Sequence, residues 1–69
     1  MSATVRVNGE AMALPSARLT DLLHALGVDP ARRGIAIAVD GAVVPRARWD
    51  AALLAGGEEI DIVRPLQGG

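Results

Sequence analysis

Leu19-Thr20-Asp21-Leu22-Leu23-His24-Ala25-Leu26-Gly27-Val28 is the stretch that decides the fold. Leu19, Leu22, Leu23 and Leu26 recur at i, i+3, i+4 and i+7, the spacing of a helix with one apolar stripe. Thr20, Asp21, His24 and Ala25 fall off that stripe. Asp21 suits the positive end of the helix dipole. Gly27 stops the helix, with Val28 placed for the apolar contact that accompanies such a cap. Ser16 is the best N-cap nearby, because Arg18 has no short side-chain oxygen. A helix with one apolar stripe needs one surface to cover it, and the flanking segments read as strands that supply a sheet face.

Before the helix, Thr4-Val5-Arg6-Val7 alternates with the period of a half-buried strand. Asn8-Gly9 is a strong hairpin signal, since both turn positions favour positive φ. Ala11-Met12-Ala13-Leu14 reads as the return strand, with Val5 and Val7 facing Met12 and Leu14. After the helix, Asp29 to Gly34 is a polar loop carrying Pro30 and Arg32-Arg33. Ile35 to Val39 is a strand with Ile35, Ile37 and Val39 on one face, and Asp40-Gly41 turns it into Ala42-Val43-Val44. Pro45 confines the residues after it to an edge or a turn. Arg46 to Leu54 reads as short helical turns containing Trp49, Leu53 and Leu54. Gly56-Gly57 is a turn, and Glu59 to Arg64 is the last strand, with Ile60 and Ile62 inward.

The order β-β-α-β-β-β predicts an α+β fold of the β-grasp (ubiquitin-like) kind, a mixed sheet of four to five strands around one main helix. Its open face would carry Thr4, Arg6, Ala11, Ala13, Ala36, Ala38, Asp61 and Val63. These residues are small with few charges, which suits a docking surface and suits ordinary sheet packing equally. At 69 residues the chain is one domain, read as a body of residues 1–64 and a tail of residues 65–69. A body this small buries only about 60% of its unfolded surface.

Composition removes several function classes. There is no cysteine, hence no disulfide framework, thiolate metal site or thiol nucleophile. The formal net charge is −1, which leaves no electrostatic footprint for nucleic acid. All seven basic residues are Arg, so no side-chain amine can form an amide with another carboxyl group. No apolar run reaches a membrane-spanning length and no export signal opens the chain, so a cytoplasmic location is expected.

Pro65-Leu66-Gln67-Gly68-Gly69 closes the chain. Pro65 lacks an N–H and biases Arg64 toward an extended conformation, so the strand stops there. Five residues reach about 17 Å at most. Gly68 and Gly69 have no side chains, so the backbone can approach another surface closely. The terminal carboxylate is ionised at neutral pH, and it is read as the functional group. Gly-rich ends also fray in chains where they serve nothing.

Other residues invite roles. His24 lies off the apolar stripe with no ligand partner and reads as a surface residue. Trp49, the lone aromatic, reads as the cover of an aliphatic core. Arg46 has Asp50 at i+4 as an ion-pair partner, or an acidic patch of a partner protein. Arg64, at the root of the tail, either steers docking or is solvated. Arg32-Arg33 reads as solvated loop. Together, Arg64, Val63 and Arg46 are the candidates for partner docking.

Taken together, Val5-Arg6-Val7-Asn8-Gly9-Glu10, Leu19 with Asp21-Leu22-Leu23, Leu26-Gly27-Val28, Ile37-Ala38-Val39, Val43-Val44-Pro45-Arg46 with Trp49, Ile60 to Pro65 and Gln67-Gly68-Gly69 resemble the ThiS family, the bacterial sulfur carriers of thiamine biosynthesis. The resemblance runs over essentially the whole chain. It implies that Gly69 is adenylated by a ThiF-like adenylating enzyme using ATP and magnesium. It further implies that sulfur from a cysteine-desulfurase-derived source converts the terminus to a thiocarboxylate, and that thiazole synthase (ThiG) consumes that sulfur. Pro65, Leu66, Gln67 and Gly68 would then be the arm entering partner active sites. On this reading the protein binds no cofactor permanently, holds no metal and is not itself an enzyme. Arg18 stands where the family often has a capping Thr, and Asp40 where it often has Asn. Two alternatives stay open: the small subunit of molybdopterin synthase, a sister carrier, and a ubiquitin-like protein-binding module that carries nothing.

Overall fold

The computed structural model describes residues 3–65. Five strands form one sheet: β1 (Thr4–Val7), β2 (Glu10–Ala13), β3 (Ala36–Val39), β4 (Ala42–Val43) and β5 (Glu59–Val63). Their order is β2-β1-β5-β3-β4, with β1 and β5 parallel and the other neighbours antiparallel. The last strand in sequence is thus the middle strand in space. The helix α1 (Leu19–Ala25) covers one face, and a single 3-10 turn spans Arg46–Arg48. This is the β-grasp arrangement expected from the element order.

The core follows from the alternation. Val5, Val7, Ile37, Ile60 and Ile62 point from the sheet toward Leu19, Leu22 and Leu23 of α1, and all are buried. Val28, Ile35, Trp49 and Leu54 close the edges. Fully burying a side chain of this kind contributes about 1.5–3 kcal/mol. The opposite face carries the eight residues expected there, with Ala38 half-buried and the rest exposed. Val43, paired with Ala38, adds a further exposed apolar side chain to it.

Three local expectations change. The first hairpin pairs Val5 with Met12 but Val7 with Glu10, so β2 starts at Glu10 and Leu14 lies past its end. A two-residue turn at Asn8 and Gly9, with φ of 50° and 88°, leaves no slack for the later register. Leu14 still donates its N–H to the carbonyl of Ala3 (2.8 Å) and packs against the core. Ser16 is not the N-cap: Arg18 occupies that position in an extended conformation, without a side-chain cap bond. Ser16 Oγ instead accepts from the Arg18 N–H (3.0 Å) and donates to Asp21 Oδ2 (2.6 Å). Arg46, finally, does not pair with Asp50. Its guanidinium lies 4.2 Å over the Trp49 ring and donates to the carbonyls of Pro30 and Arg32. The 3-10 winding of this segment removes the α-helical i, i+4 geometry on which the ion pair depended.

The other end of α1 is as expected. Gly27, at φ 73°, donates to the His24 carbonyl (3.1 Å), and Val28 donates to the Leu23 carbonyl (2.8 Å), the Schellman pattern. Residues 44–54 strap the start of the helix. Leu54 donates to Ala17 (2.7 Å), Leu19 donates to Ala52 (3.2 Å), and Trp49 Nε1 donates to Val44 (2.9 Å).

Candidate functional site: the root of the carboxyl-terminal arm

β5 delivers the chain to Pro65, and it is bound along its length on both sides. Three of its bonds come from the side chains of two turn residues. Asn8 Oδ1 accepts the Ile62 N–H (2.8 Å) while Asn8 Nδ2 donates to the Ile62 carbonyl (3.2 Å). The Asn8 amide stands in for one further residue of β1. On the other side, Asp40 Oδ1 accepts the Glu59 N–H (2.9 Å) and the Asp40 N–H donates to the Glu59 carbonyl (2.8 Å). Both residues have the positive φ of a hairpin turn, 50° and 51°, which aims their side chains at the neighbouring strand. At the entry to β5, Glu58 accepts from the N–H groups of Ala55 and Gly56 (2.7 Å each). Those bonds, Ala55 first, hold its carboxyl below the ordinary glutamate value.

Beyond β5, Arg64 is exposed and Pro65 half-buried. Arg64 Nη2 reaches the Leu26 carbonyl at 3.5 Å. The Pro65 ring rests on Gly34: a Cβ placed on Gly34 would stand 3.0 Å from Pro65 Cβ and 3.3 Å from Cγ. Gly34 has φ of 86°, a conformation open to glycine and strained for other residues. A hollow of about 220 Å³ opens here, lined by Gly27, Val28, Asp29, Arg32, Ile35, Arg64 and Pro65.

The structure gathers Val63, Arg64 and Pro65 at one place and sets Arg46 apart from them. Val63 is 62% exposed on the open face. Arg46 reaches the tail root only indirectly, through the Asp29–Gly34 loop whose carbonyls it binds. His24 is exposed and Trp49 is buried, as expected. Leu66, Gln67, Gly68 and Gly69 lie outside the described residues. Three contributors are not evident from sequence. Asn8 and Asp40 are legible as turn residues but not as binders of β5, and Gly34 carries no local signal because its neighbour is 31 positions away. Among the described residues no group of three or more His, Cys, Asp or Glu is placed to hold a metal ion. None of the described helices is long and apolar enough to cross a membrane.

A mixed five-stranded sheet with β5 at its centre and one helix across one face defines the class as small β-grasp proteins. The sequence pattern of the ThiS family matches residues 5–69, and the chain belongs to that family. Among solved structures it is similar to the crystal structure of the thiamine biosynthesis protein ThiS from Geobacter metallireducens. The identity is 28% over 96% of this chain and 99% of that one, with a TM-score of 0.74. No curated protein matches the chain significantly.

Proposed function

We propose that this protein is the sulfur carrier of thiamine biosynthesis and that the carboxylate of Gly69 is the group that carries sulfur. The observation that supports this best is the family match, which runs through the body and on to Gly69 itself. The chemistry follows from the weakness of a carboxylate as an electrophile. A ThiF-like enzyme, with ATP and magnesium, joins the carboxylate to AMP and releases pyrophosphate. The terminal sulfur of a cysteine-derived persulfide attacks the acyl carbon and AMP leaves, giving an acyl disulfide. A thiol then attacks the donor's cysteine sulfur, the S–S bond breaks, and the thiocarboxylate leaves as thiol and donor cysteine are oxidised to a disulfide. Thiazole synthase then takes the sulfur. The catalytic groups belong to the partners, and the protein acts in the cytoplasm as substrate and carrier. Pro65, Leu66, Gln67 and Gly68 form the arm, and Val63 and Arg64 contact the partner beside it. Arg46, whose donors are committed to loop carbonyls, influences docking through the shape of the loop it holds.

Intact mass tests the reading. The protein is mixed with ATP, magnesium, an adenylating enzyme and a cysteine-derived sulfur source. One oxygen exchanged for sulfur, dependent on ATP and lost when Gly69 is deleted, is the expected result. No mass change, with an enzyme shown to modify another carrier, would overturn it in favour of a non-carrier binding module.

A further inference from the structure

We propose that Gly34 and Pro65 form a seat that aims the carboxyl-terminal arm, which makes Gly34 a positioning residue for partner chemistry although it lies far from Gly69 in sequence. The inference rests on the carrier reading and adds the device that presents the arm.

Three observations carry it. Pro65 is the second residue past the central strand, and its ring fixes φ at the point where the chain leaves the body. The ring lies against the backbone of Gly34 so closely that a Cβ there would meet it at 3.0 Å. The loop that leads to Gly34 is in turn tied down. Arg46 ties the carbonyls of Pro30 and Arg32 to the Trp49 segment, and Asp29 closes its own turn by accepting the Ala31 N–H (2.9 Å). The loop is therefore a fastened surface. Arg64, reaching the Leu26 carbonyl, braces the root from the helix side.

The consequence is geometric. The four residues after Pro65 span about 14 Å when extended. A change of about 15° at the root therefore displaces the far end by roughly 3–4 Å. An error of that size matters where a reacting group must be placed to about an ångström. A seat that narrows the directions open to the arm raises the fraction of molecules ready to dock, and apparent affinity scales with that fraction.

The test uses Pro65→Gly, Gly34→Ala and the double variant in the full chain. Pro65→Gly removes the ring and adds no clash. Gly34→Ala pushes on the ring and also strains its own backbone. In the unmodified protein, nuclear Overhauser contacts between the Gly34 α-protons and the Pro65 ring are expected. Their absence would overturn the seat whatever the protein's function. With the adenylating enzyme, each single variant is expected to raise KM about tenfold while kcat stays within about twofold, because a docked arm still reacts. The double variant should raise KM by clearly less than the product of the two single effects, since the clash at Gly34 needs the ring and only the backbone strain at Gly34 remains without it. Full additivity of the two effects, or a fall in kcat with KM unmoved, would overturn the proposal. Melting curves on each variant serve as the check that it is folded under assay conditions. Adenylation of the unmodified protein separates the two readings: if there is none, the carrier reading fails, while the proton contacts still judge the seat.

Discussion

Asn8 shows how one side chain can serve two structural demands. Its backbone makes the first turn, and its amide makes both a donated and an accepted bond to Ile62. Asn8→Gly keeps the turn and deletes the bonds. At about 0.5–1.5 kcal/mol per hydrogen bond, the loss should be about 1–3 kcal/mol in urea unfolding. A loss no larger than a few tenths would mean that water replaces the amide without cost. Glu58 has a pH signature. Its carboxyl is held low by the Ala55 and Gly56 N–H groups, so the stability it contributes is present above the ordinary glutamate value of about 4.3. That contribution is lost as pH falls through the lower, folded-state value. Glu58→Gln should flatten this part of the acid limb of stability and leave the neutral-to-alkaline part of the curve in shape as it was. An unchanged acid limb would refute the assignment.

At the scale of elements, α1 is well ended and poorly begun. Gly27 supplies the left-handed residue of the Schellman motif, with open space where a Cβ would go. Gly27→Ala should therefore cost about 1 kcal/mol from backbone conformation alone, with no repacking. Arg18 has the extended backbone of an N-cap without a capping oxygen. Arg18→Thr should raise stability by about 0.5–1 kcal/mol, read as a higher melting temperature. No gain would mean that the Ser16 bridge and the Ala52 carbonyl already satisfy that end of the helix. The helix and the strands are legible in the sequence because each has a strong local period: 3.6 from Leu19 to Leu26, two in Val5–Val7 and Ile60–Ile62. Sequence misleads where the decision is not local. Spacing along the chain offers Arg46 a partner in Asp50, yet it bonds to carbonyls 16 and 14 positions away. Of the candidate site, the end of the strand at Pro65 can be read directly, while Gly34 cannot, since nothing beside it in the chain points to Pro65.

For the whole molecule, one aliphatic core and one Trp make a simple system. Leu22 and Leu23 are fully buried, and truncating either to Ala should cost about 2–5 kcal/mol. For a domain of this size that approaches the total stability, so partial unfolding at room temperature is the expected result. Trp49, buried beneath Arg46 and tied to Val44, reports the packing of the strap, and far-ultraviolet circular dichroism reports the sheet and helix. The two transitions should coincide. A Trp49 transition that precedes the other would mean that residues 44–54 come away as a separate unit.

The position of β5 also bears on mechanical strength. The chain enters the described body at β1 and leaves it from β5, and these two strands are parallel neighbours in the middle of the sheet. Tension applied between the two ends loads the bonds linking β1 to β5 side by side, in shear, so several must yield together. If the same strands were antiparallel, the bonds would peel one at a time. Force applied to the two ends of residues 3–65 therefore meets the β1–β5 seam in shear, and the body should resist such a pull better than one whose first and last strands were antiparallel neighbours.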